Sequence, residues 1–385
     1  MVTIANNAAE TQEMENKYIS IIRELGPGFA SRAAIHDAEG SFVAENYELL
    51  RRHKLFSAAV PTELGGGGAS HTEICGMIRE LARYDGSTAL AFSMHSHLLA
   101  ALVWRHQHQL TPPSEPVLRK IAAEELVLVS TGGSDWLEGS GTAVKVEGGY
   151  SISGRKVFSS GSPGGNLLLT TAVYDDPEGG PVVLHVAVNM KGDGVTILED
   201  WNTMGMRGTG SNSVVLEDIF VPEAGVSLRR PQGKWHPFFD VISPLVWPLV
   251  MSAYVGVAEG ARDLAVSGSV KKQQDPGVQY LIGEMDTQLT GAQLALERMM
   301  EIAAEDYKPS IHLSNQVYQY KTIAVKNSIK AVEKAMIVLG GASFFRSVGL
   351  ERAFRDIQGA RFHPFQEHKQ YVFSGRVALG MDPIA

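Results

Sequence analysis

Hydrophobic and polar positions alternate with two different periods along this 385-residue chain. From about residue 10 to 125, apolar residues recur at i, i+3 and i+4 in segments such as YISIIREL and HTEICGMIRELARY, a spacing typical of amphipathic helices. The segment VPTELGGGGAS (60–70) interrupts this pattern, because consecutive glycines are not compatible with a stable helix. The pattern predicts a helical N-terminal region.

Between about residues 126 and 222, short runs of Val, Leu, Ile and Thr are separated by Gly, Asp, Pro and Ser, and KVEGGYSI has the form of a β-hairpin. Beyond about residue 235, three helical patterns each exceed 20 residues, which predicts a bundle. We therefore expect an α+β protein with an N-terminal α-helical domain (1–125), a middle β domain of barrel or sandwich type (126–232) and a C-terminal four-helix bundle (233–385).

Composition excludes several function classes. The formal net charge is −8, and no Lys/Arg run exceeds two residues, so we expect no nucleic-acid partner. Cys75 is the only cysteine, which rules out an intrachain disulfide and fits a reducing, cytoplasmic compartment. The polar, acidic N-terminus is neither a signal nor a transit peptide. The most apolar run (244–258) is too short to span a bilayer and is interpreted as a buried core helix.

Several chemical motifs are missing. No GxGxxG follows a predicted strand and no GxxxxGK[ST] occurs, so neither a Rossmann nor a P-loop site is predicted. No nucleophile elbow supports a hydrolytic triad. His95 and His97 are two residues apart and therefore on different helix faces, which argues against a metal site. One should be buried in the core or pocket and the other exposed, and both are candidates for the substrate pocket.

Five segments, taken together and in order, point to a known family. They are VPTELGGGG, the strand–turn–strand GYSISGRKVFSSGSPGG, the glycine-rich turn and strand WNTMGMRGTGSNSVVLEDIFVPE, VLGGASF (338–344) and Arg355–His363. In this order the chain resembles the acyl-CoA dehydrogenase superfamily over nearly its whole length. The resemblance implies that family's three-domain fold, a flavin between the β domain and the bundle, and a homotetramer or dimer built through the C-terminal helices.

The sequence departs from the family where a dehydrogenase needs its base. Dehydrogenases remove a substrate proton with a carboxylate close to the flavin. The two family positions for that base correspond to Pro364 and Val246, which have no ionisable group. His363 beside the first of them is similar to the family's oxygen-using branch of dibenzothiophene monooxygenase and nitrososynthase type. Members of this branch bind reduced flavin and transfer oxygen through a C4a-hydroperoxide.

The predicted function is therefore a flavin-dependent oxidoreductase, with a reduced-flavin monooxygenase preferred. The alternative is an acyl-CoA or acyl-carrier dehydrogenase whose displaced base is Glu367. A third possibility is a catalytically silent flavin-binding protein. The substrate is a small molecule that the sequence does not name, and a flavin reductase or electron-transfer protein is the expected partner.

The resemblance also assigns candidate site residues. The catalytic candidates are His363, Ser160 and Glu367, with the Ser160 hydroxyl expected to donate near flavin N5. Candidates for binding the cofactor are Ser130, Thr131, Phe158, Ser159, Ser160, Arg207, Gly340 and Gly341. The cofactor is FAD or FMN. Residues 269–285 contain Lys271 and Lys272 but lack the Arg-x-x-Phe-Gly segment that grips FAD in many dehydrogenases, so FMN or an exchangeable reduced flavin fits. No metal is expected.

Overall fold

A computed structural model describes residues 16–384 except Pro112, Glu305 and the side chain of Ser134; the first 15 residues of the predicted N-terminal domain lie outside the described part. The described chain begins with helices. They are α1 (Lys17–Glu39), α2 (Ala44–Arg52), α3 (His71–Tyr84), α4 (Gly86–Gln107) and α5 (Glu115–Glu124).

Local sequence accounts for the ends of these helices. Ser70 and Glu73 form a capping box at the start of α3, and the Asp85 side chain accepts from the first amides of α4, so that two orphan N–H groups are satisfied in each case. The glycine-rich segment 60–70, which was predicted to interrupt the helices, contains one short helical turn. Gly65 (φ 91°) and Gly68 (φ 66°) follow this turn, and both have a positive φ that favours glycine.

The middle of the chain is one mixed eight-stranded sheet. Its strands are β1 (Leu128–Ser130), β2 (Thr142–Val146), β3 (Gly149–Lys156), β4 (Leu167–Asp176), β5 (Gly180–Asn189), β6 (Val195–Ile197), β7 (Val214–Pro222) and β8 (Leu228–Pro231). The order is β6-β7-β3-β2-β4-β5-β8, with β1 parallel to β4. The predicted hairpin is confirmed, because Val146 pairs with Gly149 across a two-residue turn.

Three long helices dominate the C-terminal part and confirm the predicted helical bundle. They are α6 (Pro237–Gly268), α7 (Pro276–Ala304) and α8 (Ile311–Leu339), followed by the shorter α9 (Leu350–Ile357) and α10 (Glu367–Ala378). Among the described residues, only α6 is long and apolar enough to cross a membrane, but 94% of its most apolar window is buried inside the protein. It packs against α3, α4, α7 and α8. The expectation of a buried core helix is therefore confirmed.

The Arg355–Asp356 pair on α9 joins distant parts of the chain. Arg355 makes two contacts with the Asp37 carboxylate on α1, at 2.6 and 2.7 Å. The Asp356 carboxylate accepts the Met206 amide at 2.5 Å. Gly205 lies so close that an added Cβ would be 2.3 Å from the Arg355 carbonyl oxygen. This joint holds the 202–209 loop of the sheet domain against the helical bundle.

Candidate active site

The ends of strands β1 and β3 meet at one point of the sheet domain. The Gly132 amide donates to the Val157 carbonyl at 2.9 Å, which places Ser130 and Thr131 beside the segment 158–160. Only glycine fits at position 132, because a Cβ there would lie 2.8 Å from the Val157 oxygen. Two of the segments predicted to bind the cofactor are thus adjacent in space.

A chain of hydroxyl groups runs inward from Ser160. The Ser160 and Ser211 oxygens are 2.7 Å apart, as are those of Ser211 and Thr209. Thr209 donates its proton to the Met206 carbonyl at 2.9 Å. Each hydroxyl has one proton, so Ser211 must donate to Thr209 and Ser160 to Ser211. In this arrangement Ser160 presents lone pairs outward, so it would accept a hydrogen bond from a flavin rather than donate one as expected; its role at the cofactor stays a prediction.

The same edge presents an aromatic surface. Phe158 adopts a positive φ of 54° and is 55% exposed, and its ring meets Trp201 edge-to-face at 5.6 Å. The buried Ser159 hydroxyl has no hydrogen-bond partner among the described residues. An exposed ring beside buried hydroxyls of unused capacity suits a flat heteroaromatic group with polar edges. The residues present therefore fit a flavin.

Thr131 is held by a buried ion pair. Its hydroxyl donates to the Asp135 carboxylate at 2.5 Å, and the fully buried Lys156 lies 3.3 Å from the same oxygen. The Lys156 ammonium also contacts the Ser140 hydroxyl at 2.9 Å. With its proton engaged by Asp135, the Thr131 side chain is left to accept rather than donate at the site.

The turn that carries His363 closes against this edge. An added Cβ at Gly133 would come within 2.8 Å of the Pro364 ring, so the 363–365 turn packs directly on the loop that follows β1. The Tyr254 hydroxyl, on α6, lies 2.7 Å from His363 Nε2. Lys321, on α8, donates to the carbonyls of His363 and Phe365, each at 2.8 Å.

The His363 imidazole is uncharged at neutral pH. Burial, with smaller contributions from the nearby Lys321 and His97, lowers its pKa to about 3. Burial also raises the pKa of Tyr254, which stays a phenol. Within the described chain, His363 Nε2 is the one acceptor in contact with the Tyr254 hydroxyl. We therefore assign Nε2 as the acceptor of that proton and Nδ1 as the nitrogen that carries the imidazole N–H.

The two histidines of α4 have different surroundings. His95 is 1% exposed, accepts the Leu128 amide at Nδ1 (3.0 Å) and donates from Nε2 to the Phe56 carbonyl (2.8 Å). With both nitrogens used by backbone, His95 is part of the core, and its expected place in the substrate pocket does not fit. His97 is partly buried, contacts the Ser93 carbonyl at 3.3 Å and is close enough to lower the pKa of His363.

Two other predicted residues, Glu367 and Arg207, lie away from this cluster or are used elsewhere. Glu367 is exposed at the start of α10, 2.7 Å from both Lys326 Nζ and the Tyr371 hydroxyl, and these contacts lower its pKa. It is therefore a paired surface carboxylate and not a poised base. The Arg207 guanidinium donates to the carbonyls of Asp37 (2.6 Å) and Thr203 (2.9 Å), so it is a structural clamp.

Gly340 and Gly341 lie at the exposed end of α8, and no described atom is within 4 Å of a Cβ built on either. Their predicted role in cofactor binding has no support within one copy of the chain. A cavity of about 470 Å³ lies on the opposite flank of the turn; its lining includes Lys321 and Phe365 but not Ser160, Ser130 or His363. We assign the chemistry to the hydroxyl and histidine cluster and not to this cavity.

Sequence reasoning missed three residues of the cluster. Tyr254 and Lys321 contact the His363 turn across 109 and 42 residues, and Ser211 reaches Ser160 across 51. Tyr254 sits in an apolar helical pattern and Lys321 in an amphipathic one, where neither spacing nor composition marks them.

Comparison with known proteins identifies the family. The family model "Acyl-CoA dehydrogenase, N-terminal domain" matches residues 22–109. The models of the middle domain and of the C-terminal domain of the same family match residues 130–219 and 249–367. The chain belongs to the acyl-CoA dehydrogenase family. The predicted family and fold are thus confirmed, and the three matches occur in the order of the three structural parts described above.

Relatives within the family differ in the reaction that their names give. "Putative acyl-CoA dehydrogenase YdbM" of Bacillus subtilis is 28% identical over 91% of this chain and 94% of its own length. Dibenzothiophene monooxygenase of Mycolicibacterium goodii is 28% identical over 94% of each. The solved structure of KijD3 in complex with FMN and dTDP-3-amino-2,3,6-trideoxy-4-keto-3-methyl-D-glucose is 26% identical, covers 97% of this chain and 96% of that one, and has a TM-score of 0.86.

Proposed function

We propose that this protein is a monooxygenase that uses reduced FMN and molecular oxygen to oxidise a small molecule. The observation that carries the proposal is the neutral His363 imidazole next to the position where a dehydrogenase of this family has a carboxylate base. Pro364 and Val246 occupy the two base positions, and Glu367 is paired on the surface. A proton-abstracting carboxylate is thus missing from the described cluster, while a hydrogen-bond donor is present.

The cofactor assignment follows from the hydroxyl groups and the relatives. Bound reduced flavin would supply the electrons that activate oxygen. Reduced flavin carries hydrogen on N5 and oxidised flavin does not, so the outward-facing lone pairs of Ser160 suit the reduced form. KijD3 is solved with FMN, and the FAD-gripping Arg-Phe-Gly segment is absent from residues 269–285. FMN is therefore preferred over FAD.

Each residue of the cluster would have a separate role in binding the flavin or positioning the reacting atoms. Ser160 accepts a hydrogen bond at the edge of the ring, Phe158 and Trp201 cover it, and the 363–365 turn excludes water from the side of the bundle. His363 would present its Nδ1–H toward the reacting atoms and donate a hydrogen bond from it, because Tyr254 holds Nε2. His97 would line the substrate pocket on the side of α4. Reduced FMN would come from a separate flavin reductase, the partner expected for such an enzyme.

Two single substitutions test the assignment. His363→Ala should retain the fold and FMN affinity but lose turnover by about 10²–10⁴-fold, the range typical of a positioned group that donates a proton or a hydrogen bond to the reacting atoms. Glu367→Gln is the matched control on the same segment and should lose less than about tenfold. Turnover is measured with reduced FMN and oxygen, and FMN binding by fluorescence titration.

The similarity to the Bacillus relative supports a second candidate function, an acyl-CoA dehydrogenase. The same substitutions distinguish this function from the monooxygenase. If Glu367→Gln is the inactive variant and His363→Ala oxidises an acyl-CoA, the protein is a dehydrogenase with a displaced base. If neither wild type nor variants turn over with any donor or acceptor, but FMN binds, the chain is a silent flavin-binding protein.

A further inference from the structure

Lys321 connects the buried face of α8 to the turn that carries His363. It is 2% exposed, and its ammonium donates to the carbonyl oxygens of His363 and Phe365, each at 2.8 Å. These two carbonyls flank Pro364, which has no N–H to hold the turn from the other side. A single side chain thus fixes the backbone on both sides of the residue that packs against Gly133.

The charge on Lys321 has no carboxylate partner within ion-pair distance among the described residues. Its remaining neighbour is the ring of Trp247, whose centroid is 5.0 Å from Nζ. Burial lowers the pKa of Lys321 to about 7. An ammonium buried without a counter-ion is costly, and such groups concentrate at functional sites. A stabilising role alone would be served better by an apolar side chain of the same length.

The groups that face His363 come from three helices. Tyr254 on α6 contacts Nε2 at 2.7 Å, Lys321 on α8 holds the backbone, and His97 on α4 acts from a greater distance. The Asp356 carboxyl on α9 acts on Tyr254 and not on the imidazole. Among these groups only Lys321 carries positive charge near neutral pH, and in its protonated form it opposes a positive charge on His363.

We propose that Lys321 is a positioning residue of the active site: it anchors the 363–365 turn through two carbonyls and so directs the His363 Nδ1–H toward the reacting atoms, and its charge adds to burial in opposing protonation of the imidazole. This inference rests on the proposed function, in which His363 donates a hydrogen bond from Nδ1 to the reacting atoms. A neutral lysine amine still has two N–H groups, so the anchor persists above the pKa of Lys321, whereas its charge acts below that pH.

The test is Lys321→Met, which keeps the length of the side chain and removes both donors and the charge. We expect turnover to fall about tenfold or more, because two hydrogen bonds from a charged group are lost. FMN affinity should change less than about threefold. The acid limb of the pH–rate profile should move up by about one pH unit, because removal of a neighbouring positive charge raises the pKa of His363.

A second readout does not depend on activity. In protein labelled with ¹⁵N-histidine, the His363 signal is identified by its loss in His363→Ala. In the wild type it should stay in the neutral form down to about pH 4, given its pKa of about 3, and in Lys321→Met it should titrate at higher pH. Lys326→Met is the matched control, since Lys326 lies on the same helix but pairs with Glu367; it should leave the profile and the His363 titration unchanged.

The double variant His363→Ala/Lys321→Met separates this inference from the proposed function. If Lys321 acts through His363, the double variant loses no more turnover than His363→Ala alone. If the double variant instead loses turnover by the product of the two single losses, or if the His363 titration is unchanged in Lys321→Met, the positioning role is overturned while the proposed function stays intact. Full activity of His363→Ala would refute the proposed function, and the titration would still decide whether Lys321 controls the imidazole. Should Lys321→Met not fold, Lys321→Gln, with one donor and no charge, replaces it in each comparison.

Discussion

Tyr254 determines which nitrogen of His363 carries the proton. A neutral imidazole has one donor and one acceptor, and the 2.7 Å contact from the Tyr254 hydroxyl occupies the acceptor at Nε2. His95 illustrates the opposite case, because backbone groups use both of its nitrogens and none remains for chemistry. At the scale of residues, the proposed function depends on Nδ1 of His363, the one nitrogen of this ring that the fold leaves without a partner among the described residues.

Tyr254→Phe should therefore reduce turnover without abolishing it. The loss of one neutral hydrogen bond corresponds to about 0.5–1.5 kcal/mol, or roughly a two- to tenfold drop in rate. The acid limb of the pH–rate profile should also move to higher pH, because the donor to Nε2 stabilises the neutral imidazole and its loss raises the pKa of His363. A rate equal to that of the wild type over the whole pH range would contradict this role of Tyr254. Its melting temperature serves as the control for folding.

At the scale of elements, α9 and the 202–209 loop are joined by a carboxyl group whose ionisation opposes folding. Asp356 is 5% exposed, and burial raises its pKa to about 7, against an ordinary value of 3.8. The folded state therefore retains a proton that the unfolded chain releases. The stabilising contribution of this proton is complete below about pH 4 and is lost as the pH rises toward 7.

Asp356→Asn should remove that dependence while it keeps an acceptor for the Met206 amide. In urea unfolding at pH 5 and pH 8, we expect the wild type to lose more stability between the two values than the variant does. Asp356→Ala should be less stable than Asp356→Asn by about 1–3 kcal/mol at both values, because the Met206 N–H is then left unpaired. An equal pH dependence in the wild type and Asp356→Asn would disprove the assignment.

Periodicity predicted the elements because apolar spacing is a local property. The helices α3 and α6 to α8 and the β2–β3 hairpin follow from such spacing, and the family resemblance placed His363 and the 158–160 loop. What could not be predicted depends on pairing across long stretches of chain. Arg207 was expected to bind cofactor, but the Asp37 carbonyl, 170 residues away, accepts its Nε–H. Glu367 was kept as a possible base, but Lys326 neutralises it across 41 residues.

At the scale of the whole molecule, the C-terminal part leaves large apolar side chains in contact with solvent. The most exposed are Phe344 (84%), Leu379 (77%), Tyr280 (71%), Phe345 (67%) and Phe362 (67%). Two of them lie within a few residues of Gly340 and Gly341, so the predicted cofactor role of these glycines would require a second copy of the chain. Exposed aromatic residues concentrated on one part of a protein are typical of an interface. We propose a closed homotetramer built on this surface.

Light scattering at micromolar concentration should give the mass of the tetramer. Substitution of both Phe344 and Phe345 by Glu should shift the protein to smaller assemblies, because charge at the centre of an apolar interface is unfavourable. Met204→Glu, on the sheet domain and 57% exposed, is the control and should leave the mass unchanged. A monomeric mass for the wild type would contradict this proposal.

The most direct test of the proposed function is rapid mixing of anaerobically reduced, FMN-loaded protein with oxygenated buffer. We predict two phases: a transient species forms first, and the absorbance of oxidised flavin returns later. In His363→Ala the transient should change in lifetime, while FMN stays bound. Addition of acyl-CoA thioesters to the oxidised protein should not bleach the flavin. A single-phase return of oxidised flavin at the rate of free reduced FMN, together with bleaching by an acyl-CoA, would contradict the proposal and identify a dehydrogenase.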